Sequence, residues 1–163
     1  MLTKKYQLTK ETITIGEKIL YRIKAIRSFG KIVEGELGGW IESEKNLSQE
    51  GMCWVFNEGK VFESAIISDD AQIFCEAMIN GNAKIFEEAI VLDQVTVTEN
   101  AKIFGKARLF ENANVSGGAK VFEDAMLFDH AEVSGKAKVF GKVKLLNHAK
   151  ISDDMAINNG VLI

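Results

Sequence analysis

Proline is absent from all 163 residues. That suits a protein in which nearly every backbone N–H is needed for a sheet ladder, since proline has none to give. Cysteine is scarce: Cys53 and Cys75 have neither a metal-ligand spacing nor a disulfide framework. Histidine is equally scarce, and His130 and His148 are too few for a three-histidine zinc site with an open fourth position, so no metal is expected. No apolar run approaches the ~20 residues of a membrane span. The opening residues 1–8 lack the apolar core of a signal peptide, and a cytoplasmic setting is the expectation. A net charge of only −3 gives no bulk attraction to duplex nucleic acid or anionic membrane. No phosphate-binding glycine loop precedes a helix; Gly117-Gly118 reads as a turn, and no cofactor is expected.

What the chain does have is a period of six. From Val55 to Ile157 every sixth residue is Val, Ile or Leu, eighteen in succession, and the residue four further on is Ala in thirteen of them. Gly59, Val95, Val143, Met155 and Val161 are the exceptions. A strict period of six walks around a helix instead of forming a stripe, which excludes helical packing. It fits a β-solenoid whose unit is one short strand and a corner, unable to bury its apolar side without its neighbours. In Ala83-Lys84-Ile85-Phe86-Glu87-Glu88, strand alternation turns Ala83 and Ile85 inward and Lys84 and Phe86 outward, leaving Glu87-Glu88 as the corner. Strands are expected over each small-to-Phe tetrad.

Thr98, Ser116, Ser134 and Ser152 recur every eighteen residues, as do His130 and His148. Three units per coil follow, and eighteen units make about six triangular coils stacked at roughly 4.8 Å. Nine of the ten phenylalanines directly follow an inward aliphatic residue. Sorted by side, Phe56, Phe74, Leu92, Phe110, Phe128 and Leu146 lie on one, and Phe86, Phe104, Phe122 and Phe140 on a second. Asn80, Thr98, Ser116, Ser134 and Ser152 make the third side polar. Lys84, Lys102, Lys120 and Lys138 run beside the second aromatic row. Ladders of this kind stabilise stacked strands, with lysine stems covering ring surface. Contiguous apolar patches on two sides also mark an interface. Phe74, Phe86, Phe104, Phe110, Phe122, Phe128 and Phe140 are the candidate interface residues, and the four lysines are candidates for holding an anionic ligand such as a nucleotide.

Over 55–162 the unbroken pattern of aliphatic, variable, two corner residues, small and variable resembles the hexapeptide-repeat superfamily. The resemblance implies an all-β, left-handed parallel β-helix, in a family that includes acyltransferases, γ-type carbonic anhydrases and non-catalytic binding or assembly proteins. An acyltransferase of this type uses one histidine as general base at a subunit boundary. His130 and His148 are the only candidates here, each beside a weak orienting partner, Asp129 or Asn147. No long loop interrupts the units after Val55 to build an acceptor pocket. Solvated corner histidines are the favoured reading.

Residues 1–54 do not repeat and are expected to form an N-terminal β cap on a repeat domain spanning 55–163. A hairpin is expected from 12–15 and 19–26 around a three-residue loop at 16–18, with a third short strand at 31–34. The segment Gly38-Gly39-Trp40-Ile41-Glu42, with Asn46-Leu47-Ser48 after it, resembles the leading cap of poorly characterised bacterial and prophage-encoded hexapeptide proteins. A cap would cover the first coil's open edge. The functional expectation is a non-enzymatic binding or assembly protein, homo-oligomeric as a trimer or dimer through its aromatic sides, with a protein partner also possible. An acyltransferase and a nucleotide binder are the alternatives.

Overall fold

The computed structural model describes residues 3–163. It is an all-β parallel solenoid whose only helix among these residues is a single 3-10 turn, Glu44–Asn46. The repeat's strands are two residues long, shorter than the expected tetrads: in each unit only the first outward residue and the inward aliphatic after it, such as Lys84–Ile85, are strand, and the residues on either side of them lead into the corners. Each strand pairs in register with the one eighteen residues on, as Lys102 does with Lys120 and Ile103 with Val121. Three sheets result.

The polar side holds Lys60–Val61, Met78–Ile79, Thr96–Val97, Asn114–Val115, Glu132–Val133 and Lys150–Ile151. The lysine side runs from Ile66–Ile67 through Lys84–Ile85, Lys102–Ile103, Lys120–Val121 and Lys138–Val139 to Ala156–Ile157. The third, the apolar side, has seven strands from Trp54–Val55 to Val161–Leu162. Between them the inward Ala, Val, Ile and Leu side chains are sealed from solvent from Val61 to Leu145. Alanine on one side of each corner and a branched aliphatic on the other pack together in the narrow prism.

There are about seven coils, one more than the eighteen units imply. The extra coil lies in the segment that did not repeat. Strand β3, Leu37–Ile41, pairs in parallel with Lys60–Val61, Leu47 bridges in parallel to Ile67, and Trp54–Val55 closes the turn. Ile41, Leu47 and Val55 thus occupy inward positions, but two extra residues before Cys53 hide the period. Gly39 takes the small inward position; a Cβ there would stand 2.5 Å from the Gly59 carbonyl oxygen. At the other end the last corner is one residue short. Leu162, seventeen residues after Leu145, pairs with it and faces the core, leaving Val161 outward and mostly exposed.

Two strands precede the first coil: β1, Tyr6–Ile15, and β2, Lys18–Ala25, an antiparallel hairpin. Its loop is Gly16-Glu17, two residues instead of three, because Lys18 already pairs with Ile15 and Gly16 takes the positive φ of 57° that such a tight loop requires. β2 pairs antiparallel with β3, so the hairpin extends the polar sheet and covers its edge. The expected strand at 31–34 is instead a loop pinched by a Phe29–Ile32 bridge. It folds over the apolar side, where Phe29 meets Trp54 edge-on at 5.4 Å.

Candidate binding surfaces

One outward residue per coil stands just before each corner, and in-register pairing stacks these residues directly above one another. Phe86, Phe104, Phe122 and Phe140 form a continuous column on the lysine side, with ring centroids 4.8 to 5.0 Å apart and planes within 4°. On the apolar side Phe56 stacks on Phe74 at 4.2 Å and Phe110 on Phe128 at 4.8 Å, with Leu92 between the two pairs. Each ring is half-buried, its faces covered by its neighbours and its edge left at the surface. Rings this close admit no planar ligand between them, so only the two ends of a column could stack with a base.

Lys84, Lys102, Lys120 and Lys138 occupy four consecutive rungs beside the longer column. Like charges directly opposed on neighbouring strands weaken a sheet. Among the described residues none of the four forms an ion pair.

The corners hold a feature that composition did not reveal. The first corner residue has positive φ throughout, and at Glu63, Glu87, Glu99, Glu111 and Glu123 it is a glutamate at 57 to 60°. The left-handed conformation costs such a residue roughly 1–2 kcal/mol. The compensation is a carboxylate that accepts the N–H of the corner one coil later: Glu87 caps Gly105 at 2.7 Å, Asp93 caps Glu111 at 3.0 Å and Asp129 caps Asn147 at 2.8 Å. The signal in the sequence is an Asp or Glu eighteen residues before the corner residue it caps.

His130 and His148 are brought together, stacked at 5.1 Å with planes 5° apart, on an exposed corner. Among the described residues no side chain hydrogen-bonds either ring. Nor do three His, Cys, Asp or Glu side chains gather where they could hold a metal, and no helix is long and apolar enough to cross a membrane.

Two features of the first coil were also missed. The loop over the apolar side encloses a cavity of about 370 Å³ with Gly30, Lys31, Ile32, Met52, Gln72 and Phe74 in its wall. Beneath the coil, Lys5 is completely buried, and its Nζ donates to the carbonyls of Glu50, Gly51 and Cys53 at 2.9 to 3.2 Å and to Cys53 Sγ at 3.2 Å. Burial holds the Lys5 amine below its ordinary value and pushes the Cys53 thiol above its own, each offset in part by the other. Cys53 is inward and Cys75 sits on a corner; both are free thiols.

Stacked two-residue strands, a three-unit coil and Ala-x-aliphatic sides define a hexapeptide-like β-solenoid. Over 79 residues the chain is 35% identical to the uncharacterized acetyltransferase YdcK of Escherichia coli strain K12. That alignment covers 43% of this chain and 24% of YdcK, so the match spans about a quarter of that protein's length. No protein-family model matches the chain.

Proposed function

We propose that this solenoid is a non-catalytic assembly module that associates with further copies of itself through its outward aromatic sides. The observation that carries the reading is the duplication of the phenylalanine columns on two adjacent sides, with every ring presenting its edge to the surface. Fully burying a phenylalanine removes roughly 150–250 Å² from water, and because the ring faces are already covered by their neighbours only the edges remain to contribute, so the columns supply a part of one partner's share of a standard interface. Phe104→Glu with Phe122→Glu leaves the inward Ile103 and Val121 in place. The variant should remain folded by circular dichroism and lose mass by light scattering; a folded variant of unchanged mass counts against this side as the interface.

The similarity to a protein named as an acetyltransferase favours a second reading, acyl transfer with His130 or His148 as general base. Both lie on one exposed corner, where a neighbouring subunit would have to complete the pocket. Thioester-dependent acetylation that disappears in His130→Ala/His148→Ala, a change expected to alter stability by no more than about 0.5 kcal/mol, would replace the assembly reading.

A further inference from the structure

Lys84, Lys102, Lys120 and Lys138 form a row of cations held one coil apart, with no carboxylate of their own among the described residues. Such a row weakens the sheet that carries it, so a partner of opposite charge and the same period would relieve it. The chain itself carries one. Asp93, Glu111 and Asp129 stand on consecutive coils at the corner that follows the apolar side. Each uses one oxygen to cap the corner one coil later and has no protein hydrogen bond to the other among the described residues.

The two columns also suit one another in direction. When two solenoids stand with their axes parallel, strands on the touching sides run in opposite directions. The first outward position of the lysine side then lies opposite the last outward position of the apolar side and the corner beyond it. That sets the lysine row against Phe110, Phe128 and the acid column. With a steady rise of one coil per eighteen residues and copies standing level, Asp93, Glu111 and Asp129 fall between successive lysines in height. An extended strand lying along the row would repeat its same-face carboxylates about every 6.6 Å, which does not match a rung spacing near 4.8 Å. A single-stranded nucleic acid would need aromatic faces to stack on, and the phenylalanines cover one another's.

We propose that the lysine row docks against the Asp93–Glu111–Asp129 column of a second copy of this chain. The proposal rests on the assembly reading and specifies which surfaces meet. Because the two surfaces differ, the contact is heterologous and generates a ring or an open row rather than a two-fold dimer.

The test is mass by light scattering on the whole chain at low and high salt, with circular dichroism as the folding control. Wild type should assemble as three copies or more and loosen as salt rises. Lys102→Glu/Lys120→Glu should fall to one copy, and if it misfolds, Lys102→Gln/Lys120→Gln takes its place. Glu111→Gln/Asp129→Asn, which keeps a side-chain oxygen for each corner N–H, should also lose mass. A wild type of one copy overturns the assembly reading and this pairing with it. A wild type of two copies, lysine variants of unchanged mass, or acid variants of unchanged mass overturn the pairing alone. Lysine variants that keep their mass but lose the wild type's binding to an oligothymidylate would assign the row to nucleic acid instead.

Discussion

The repeat and the first coil are stabilised by opposite strategies. In the repeat, each coil is held by the same few interactions as the next: an inward aliphatic, an alanine at the corner, a ladder of backbone bonds and a carboxylate cap. Around the first coil, contacts found at one place only are added to these. Lys5 satisfies three carbonyls, the Tyr6 hydroxyl donates to Leu47 O at 2.6 Å, and Arg22 lies over the Trp40 ring at 4.5 Å while pairing with Glu58. The Trp40 indole N–H donates to Glu58, and with Arg22 it holds that carboxyl below its ordinary range against the effect of burial. A periodic core can be extended by copying; an end must be closed by contacts that fit one place.

That contrast can be tested, beginning with the largest effect. Ile103→Ala empties an inward site in the middle of the stack, where coils above and below prevent collapse, and should cost about 4 kcal/mol in a urea titration. Its neighbour Ile85 is equally buried, so the same change there should cost a similar amount, while Val121→Ala, which removes one carbon fewer, should cost less. Lys5→Met should cost about 3 kcal/mol, because the carbonyls of Glu50, Gly51 and Cys53 lose their donor. This loss should be confined to the N-terminal end, with amide exchange accelerating in β1–β3 and not at Val121. If exchange rises equally throughout, the end and the repeat are one cooperative unit.

The pH dependence sharpens the same distinction. The Lys5 amine is depressed below 10.5, so the unfolded chain holds more protons in the window from its folded value up to 10.5, and its contribution to stability grows as pH rises through that window. The Cys53 thiol is raised above 9.0, so the folded chain holds more protons there, and its contribution falls as pH rises from 9.0. The two oppose each other in wild type. Cys53→Ala removes the second, and thermal melts of that variant should improve relative to wild type as pH rises from 9.0 toward 10.5. The smallest effect belongs to a single corner: Glu111→Ala should cost about 1 kcal/mol, the net worth of one hydrogen bond, and Glu87→Ala about the same. Unequal costs would show that the caps are not interchangeable.

Much of the fold was legible because a strict six-residue period excludes a helical stripe and fits stacked strand-and-corner units. The inward and outward assignment, the three sides and both aromatic columns follow from it, and the paired histidines follow from their eighteen-residue spacing. The first coil was not legible. Its inward residues Ile41, Leu47 and Val55 are of the right type, but the two-residue insertion breaks the count, and only the Gly59 backbone pressing on Gly39 marks that glycine as the small inward residue. The buried lysine was invisible for a different reason: Lys5 lies in an exposed-looking polar start, and only the carbonyls of 50–53, more than forty residues away, make its burial tolerable.

The sequence by itself therefore determined everything that repeats: the strand unit, the triangular coil, the sealed core and the columns that stand on its sides. Periodicity is a local property, and each unit carries its own instructions. The tertiary structure alone decided how the first coil is wound from the non-repeating segment, how its edge is covered by the hairpin, how a corner is shortened before Leu162, and that corner carboxylates turn to the N–H one coil later. Those depend on groups that meet only after the chain has wound past itself, where a one- or two-residue change in spacing or a single buried charge is compensated by partners distant in sequence.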